Sequence, residues 1–156
     1  MERSFLFIKR VFRRMRKAIQ NDIKYHELKE PEFRDYIQNK WNCDLKKLAI
    51  VYGFDYAIIK NGQLKGFVEL KRRLFESGKY NDSMINLNKW IKSKELRDGT
   101  NLPTFLAIRY TDRDVYCKLT DDTTHYIKWG ARTKQKRDWQ DEQPACHIMI
   151  EEFKEI

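Results

Sequence analysis

Residues 53–73 read GFDYAIIKNGQLKGFVELKRR, and this stretch decides the fold. Two runs of strand-forming residues, 48–59 (LAIVYGFDYAII) and 63–72 (QLKGFVELKR), flank Lys60-Asn61-Gly62. Asn-Gly between two such runs is a strong hairpin signal. Residues two apart on a strand share a face, so Glu69 and Lys71 stand side by side. Whether Asp55 joins them depends on the turn. A two-residue loop pairs Lys60 with Gln63 and sets Asp55 opposite Val68, on the wrong face. A three-residue loop with Gly62 left-handed pairs Ile59 with Gln63 and Asp55 with Phe67, uniting Asp55, Glu69 and Lys71. The apolar pattern favours the three-residue loop, since Val68 and Leu70 then join Phe54, Tyr56 and Ile58 on the opposite, core-facing side. A bulge near Gly53 or Gly66 gives the same parity by another route.

The rest of the chain arranges itself around this hairpin. Pro31 suits a first helical turn, and Phe33, Ile37 and Trp41 follow at helical spacing, which predicts a helix over 31–41 with Glu32 in its first turn. A helix is expected over 82–96, capped by Asp82 or Ser83, with Met84, Leu87, Trp90 and Ile91 on one side. Residues 104–110 and 114–119 read as strands and 145–153 as a last strand, whereas 130–144 is polar and reads as loop. Helix, strands, helix, strands is the order of an α/β or α+β sandwich around a mixed sheet.

At 156 residues, the length suits one domain, and 41% hydrophobic content excludes a disordered chain. The expected division is a single domain over 1–156, with a basic amphipathic helix over 1–22 and a basic extension over 123–156. In the first segment Phe5, Ile8, Phe12, Met15 and Ile19 form one apolar stripe, and Arg3, Lys9, Arg10, Arg13, Arg14, Arg16 and Lys17 occupy the other faces. That helix can pack on the domain, dimerise or lie along a phosphate backbone; with no lipidation signal beside it, no membrane partner is expected, and no small-molecule cofactor either. The net charge of +9 favours polyanionic partners, nucleic acid first. No run approaches the roughly 20 apolar residues of a membrane span, and the first residues lack a signal-peptide pattern. Cys43, Cys117 and Cys146 have no metal-ligand spacing, even with His125 and His147 counted, and no disulfide framework. A reducing cytosol is the expected setting.

Two carboxylates and an ammonium on one face suit phosphodiester hydrolysis. Mg²⁺ takes one or two carboxylates plus waters and phosphate oxygens, and a lysine can stabilise charge or help deprotonate water. Asp55 and Glu69 can hold the metal, the carbonyl of Leu70 can add a ligand, and Lys71 can serve the chemistry.

With these residues in place, the sequence resembles the PD-(D/E)XK nuclease superfamily, in 53–73 and in the helix and strands that follow. Phe54 stands where that family often has proline. More broadly, 32–153 is similar to small nucleases encoded by bacteriophages, including the tail GARTKQKRDWQDEQPACHIMIEEF. The resemblance implies a restriction-endonuclease-like αβββαβ core. It also implies metal binding by Asp55 and Glu69, a catalytic role for Lys71, and a further acid from the first helix: Glu32, with Glu30 and Glu27 as competitors. The segment 80–90 (YNDSMINLNKW) looks like the family's next helix, and Lys89 there can reach a phosphate. Arg72 and Arg73 are further expected contacts to nucleic acid. Arg132, Lys134, Lys136 and Arg137, flanked by Trp129 and Trp139, suit phosphate neutralisation with stacking on unpaired bases, or a loop held by Asp138, Asp141 and Glu142.

The function expected from all this is a Mg²⁺-dependent DNA endonuclease, with Mn²⁺ able to substitute. It would act in the cytoplasm, of a bacterial host if phage-encoded, and a homodimer stays open. The alternatives are an inactive nucleic-acid-binding protein on the same scaffold and an interaction protein using the N-terminal helix.

Overall fold

A computed structural model describes residues 30–129 and 143–156. The expected helix over 1–22, Glu27, the basic cluster Arg132 to Arg137 and Trp139 lie outside the described residues.

Helix α1 spans Pro31–Trp41, with Pro31 in its first turn. Asn42 takes a left-handed conformation and closes the helix through its N–H to the Gln38 carbonyl. Strands β1 (Asp44–Lys47), β2 (Tyr56–Lys60) and β3 (Gln63–Arg72) follow as antiparallel neighbours. Strand β4 (Asp82–Asn86) leads into helix α2 (Leu87–Thr100). Next come β5 (Thr104–Arg109), β6 (Asp114–Leu119), β7 (His125–Trp129), β8 (Pro144–Met149) and β9 (Lys154–Glu155).

Six strands form a mixed sheet in the order β1-β2-β3-β5-β6-β9. Within it, β3 and β5 are parallel and the other pairs antiparallel. The connection from β3 to β5 runs through α2, as a parallel pair requires. Strands β4, β8 and β7 form a second, antiparallel sheet. Apart from β4, the elements from α1 to β5 follow the expected αβββαβ order.

Both faces of the large sheet are covered. Tyr56, Ile58, Val68, Leu70 and Ala107 pack with Phe33 and Ile37 of α1. Ala57, Phe67, Leu106 and Ile108 pack on the other face with Ile85, Cys146 and Ile148 of the small sheet and with Trp90 and Leu96 of α2. Phe54, expected beside Tyr56 and Ile58, belongs to this second cluster instead, because it precedes β2.

The hairpin corrects the expected turn. Lys60 pairs with Gln63, so the loop is the two-residue Asn61-Gly62, both residues at positive φ. Parity is recovered by the other route: pairing shifts between Ile58 and Ile59, with Ile59 opposite Leu64 and Ile58 opposite Gly66, so Lys65 is the extra residue of a bulge. Tyr56 then pairs with Val68, and Asp55 and Glu69 fall at the next position on one face. Gly66 is required there, since a Cβ would stand 2.6 Å from the Pro103 carbonyl oxygen.

Three boundaries also differ. Residues 48–55 are not strand: a 3₁₀ turn, Ile50–Tyr52, ends at left-handed Gly53. Residues 82–86 are strand rather than helix, since Ser83 and Ile85 face the core in alternation, and α2 starts after Asn86. The last expected strand breaks at a 3₁₀ turn, Ile150–Glu152, between β8 and β9.

Candidate active site

The bulge brings two carboxylates together inside the protein. Asp55 is 3% exposed and Glu69 1%. Asp55 Oδ2 accepts the Leu70 N–H at 2.9 Å, which fixes the Asp55 side chain against β3. Three ammonium groups converge on the pair. Lys71 Nζ lies 3.3 Å from Glu69 Oε1. Lys89 Nζ, from the first turn of α2, lies 2.9 Å from Glu69 Oε2 and 3.8 Å from Asp55 Oδ1. Lys47 Nζ, from the end of β1, lies 3.6 Å from Asp55 Oδ1 and 3.2 Å from Glu30 Oε1.

The environment separates the two acids. Burial pushes the Asp55 carboxyl up, but the charges of Lys89, Lys47 and Lys71 and the Leu70 N–H outweigh it and hold Asp55 below the usual range. Glu69 goes the other way: burial and the neighbouring Asp55 charge raise it, only partly offset by Lys71 and Lys89. Burial lowers the Lys47 ammonium, partly offset by Asp55 and Glu69.

Burying a carboxylate costs several kcal/mol, so a buried pair is not a device for stability alone. The donor set fits a divalent cation: two anionic oxygen ligands from adjacent strands, with the Leu70 carbonyl on the same segment. The Lys89 ammonium already sits between the two carboxylates, a position that suits a cation. Among the described residues no three His, Cys, Asp or Glu side chains converge as a metal-holding group.

Of the three acids named for the first helix, Glu27 lies outside the described residues and the other two part ways. Glu32 is 85% exposed and faces Arg109, 3.5 Å away on the far side of the sheet. Glu30, one residue before α1, is buried and connects to Asp55 through Lys47. Lys89, named as a phosphate contact, pairs with Glu69 and Asp55 in this structure. Arg73 spans the two sheets, donating from Nη2 to the Met84 carbonyl. Arg72 is exposed and, by strand alternation, points to the α1 side away from Lys71. Trp129 ends β7 and is exposed. Sequence reading missed Lys47, because β1 has a single buried residue, Leu45, and no alternation to detect.

With this geometry in view, the comparisons with known proteins define the class. A family model described as "phage putative PDDEXK endonuclease" matches residues 18–156, and the chain belongs to that family. It is therefore a member of a nuclease family with the restriction-endonuclease-like fold. A Holliday junction resolvase from the archaeal hyperthermophile Archaeoglobus fulgidus is similar in structure, at 11% identity and a TM-score of 0.45, over 72% of this chain and 77% of that one. No curated protein matches the sequence. No helix among the described residues is long and apolar enough to cross a membrane.

Proposed function

We propose that this chain is a Mg²⁺-dependent endonuclease that hydrolyses phosphodiester bonds in DNA at Asp55, Glu69 and Lys71, with Mn²⁺ able to replace Mg²⁺. The observation that carries the reading is the buried Asp55–Glu69 pair ringed by lysines.

Asp55, Glu69 and the Leu70 carbonyl would hold the cation, which supplies charge neutralisation at the phosphate and a more acidic water. The surrounding lysines favour the ionised form of Asp55, which would supply an anionic ligand to the cation. Glu69, on the neighbouring strand, would supply the second carboxylate, and burial beside Asp55 makes it the acid that holds its proton more tightly. Lys71 stands at the rim of the pair, where it can donate to a non-bridging phosphate oxygen or orient the attacking water. Lys89, which now pairs with the carboxylates, would be freed by a cation bound there and could then donate to a phosphate oxygen. Glu30 acts through Lys47, positioning Asp55. Arg132, Lys134, Lys136 and Arg137 are proposed as contacts to the DNA backbone, with Trp129 beside them.

The test is incubation of supercoiled, linear, single-stranded and branched DNA with Mg²⁺, Mn²⁺ or EDTA. Cutting with either metal and none with EDTA is expected. Binding to every substrate with no cutting would replace the enzyme with a nucleic-acid-binding protein on the same scaffold.

A further inference from the structure

Residues 48–55 form the loop between β1 and β2. The Leu48 N–H donates to the Asp55 carbonyl at 2.9 Å and closes the loop at its base, so the tip projects from the very residue that carries the first carboxylate. That tip is Ile50-Val51-Tyr52, and its side chains point outward: 65%, 83% and 54% exposed. Three consecutive apolar or aromatic residues left in water, when the same chain buries others of their kind, mark a surface built for contact. The tip is also held in shape. Tyr52 N–H donates to the Ala49 carbonyl and Gly53 N–H to the Ile50 carbonyl, and Gly53 is left-handed at φ 64°. Lysines border the loop, with the Lys47 ammonium turned to Glu30 and Asp55 and the Lys92 ammonium paired with Glu95. Lys46 and Lys47 precede the loop, and the Gly53 backbone lies against Lys92, whose Cγ would be 3.4 Å from a Cβ built there.

A rigid apolar tip among lysines, set beside a phosphate-cutting pair, matches the exposed base faces of a nucleic acid whose stack is interrupted. An intact duplex offers Ile50 and Val51 little beyond thymine methyls unless a base step is unstacked, which costs a few kcal/mol. An opened step presents base planes, which apolar wedges and aromatic rings contact well. We propose that Ile50-Val51-Tyr52 is a wedge that packs against unstacked bases next to the scissile phosphate, and that the substrate is therefore DNA with a fork, branch or single-stranded stretch at the cut. This deepens the nuclease reading and rests on it.

The test compares the unchanged chain with the I50S/V51S/Y52S variant. Both are also made with Glu69→Gln, so that binding is read without cutting. The probe is a forked duplex carrying 2-aminopurine beside the fork, with a continuous duplex of the same sequence as its partner. In the unchanged chain, binding should brighten the 2-aminopurine, and the fork should be preferred. In the variant, the brightening should vanish and the fork-to-duplex affinity ratio should fall about tenfold, the size expected from losing one base-stacking contact. An unchanged ratio would overturn the wedge. So would a fall in sedimenting mass from dimer to monomer with equal loss on both substrates, since the tip would then be a contact between copies. Absence of cutting with the brightening intact would overturn the nuclease reading and leave the wedge standing. Thermal melting of the variant checks that the fold is retained.

Discussion

Lys89 Nζ lies 2.9 Å from Glu69 Oε2 and 3.8 Å from Asp55 Oδ1, so one ammonium from α2 holds together carboxylates from two different segments of the hairpin. A divalent cation held as proposed would call on the same oxygens as that ammonium, and the two would compete. Lys89→Met keeps the length of the side chain and removes its charge. Titration calorimetry with Mn²⁺ should show several-fold tighter binding to the variant than to the unchanged protein. Weaker binding would mean that Lys89 supports the ligands instead of competing for them.

The two acids should respond in opposite directions to neutralisation. Asp55 is held below its ordinary 3.8, so its stabilising contribution is present above that pH and is lost as pH falls through the lower folded value. Glu69 is raised above 4.5, so its contribution is complete below 4.5 and is lost as pH rises through the raised value. Asp55→Asn should therefore cost roughly 2–4 kcal/mol at pH 7, with the loss shrinking in acid. Glu69→Gln should melt at or above the unchanged protein at pH 7, and the gain should disappear below pH 4.5. Melting curves at pH 7 and pH 4 check both signs.

Gly66 couples the bulge to the parallel pair. Phe67 N–H donates to the Pro103 carbonyl at 3.0 Å, and the same oxygen leaves no room for a side chain at 66. Gly66→Ala should cost about 1–3 kcal/mol by forcing β3 from β5. Activity should drop with it, because the bulge sets the face on which Asp55 meets Glu69. Denaturant unfolding gives the stability loss, and Gly78→Ala, where a Cβ meets nothing within 4 Å, is the control.

The thiols should be sluggish. Burial pushes Cys117 and Cys146 up to about 12, and it also raises the partly exposed Cys43. A thiol-specific reagent at pH 8 should modify Cys43 first and slowly, and reach Cys117 and Cys146 only when the protein unfolds. Mass spectrometry of timed samples reads the order.

How much of this was legible in the sequence depends on where the information lay. The β3 segment and the Asp55–Glu69–Lys71 set could be read because alternation and the Asn-Gly turn are local signals. The turn itself was assigned the wrong length, since a bulge at Lys65 and a longer loop give identical parity, and the close packing of Gly66 on Pro103, a residue distant in sequence, is not a local signal. Residues 48–52 read as strand from composition, yet they make a 3₁₀ tip because Leu48 and Asp55 close a loop there. Residues 82–86 read as helix because Met84, Leu87 and Trp90 have helical spacing, whereas pairing with β8 makes them strand. Spacing left Glu32, Glu30 and Glu27 open as the first-helix acid, because only the packing of the helix shows that Glu32 faces Arg109 while Glu30 meets Lys47.

The most direct test of the central claim uses Glu69→Gln and Lys71→Ala with fluorescent DNA, measuring affinity without metal and cutting with Mg²⁺. Both variants should bind within about twofold of the unchanged protein and cut at least about a hundredfold more slowly, the size seen when a transition-state contact is removed. Cutting by Glu69→Gln at the unchanged rate would place the chemistry away from this pair of carboxylates.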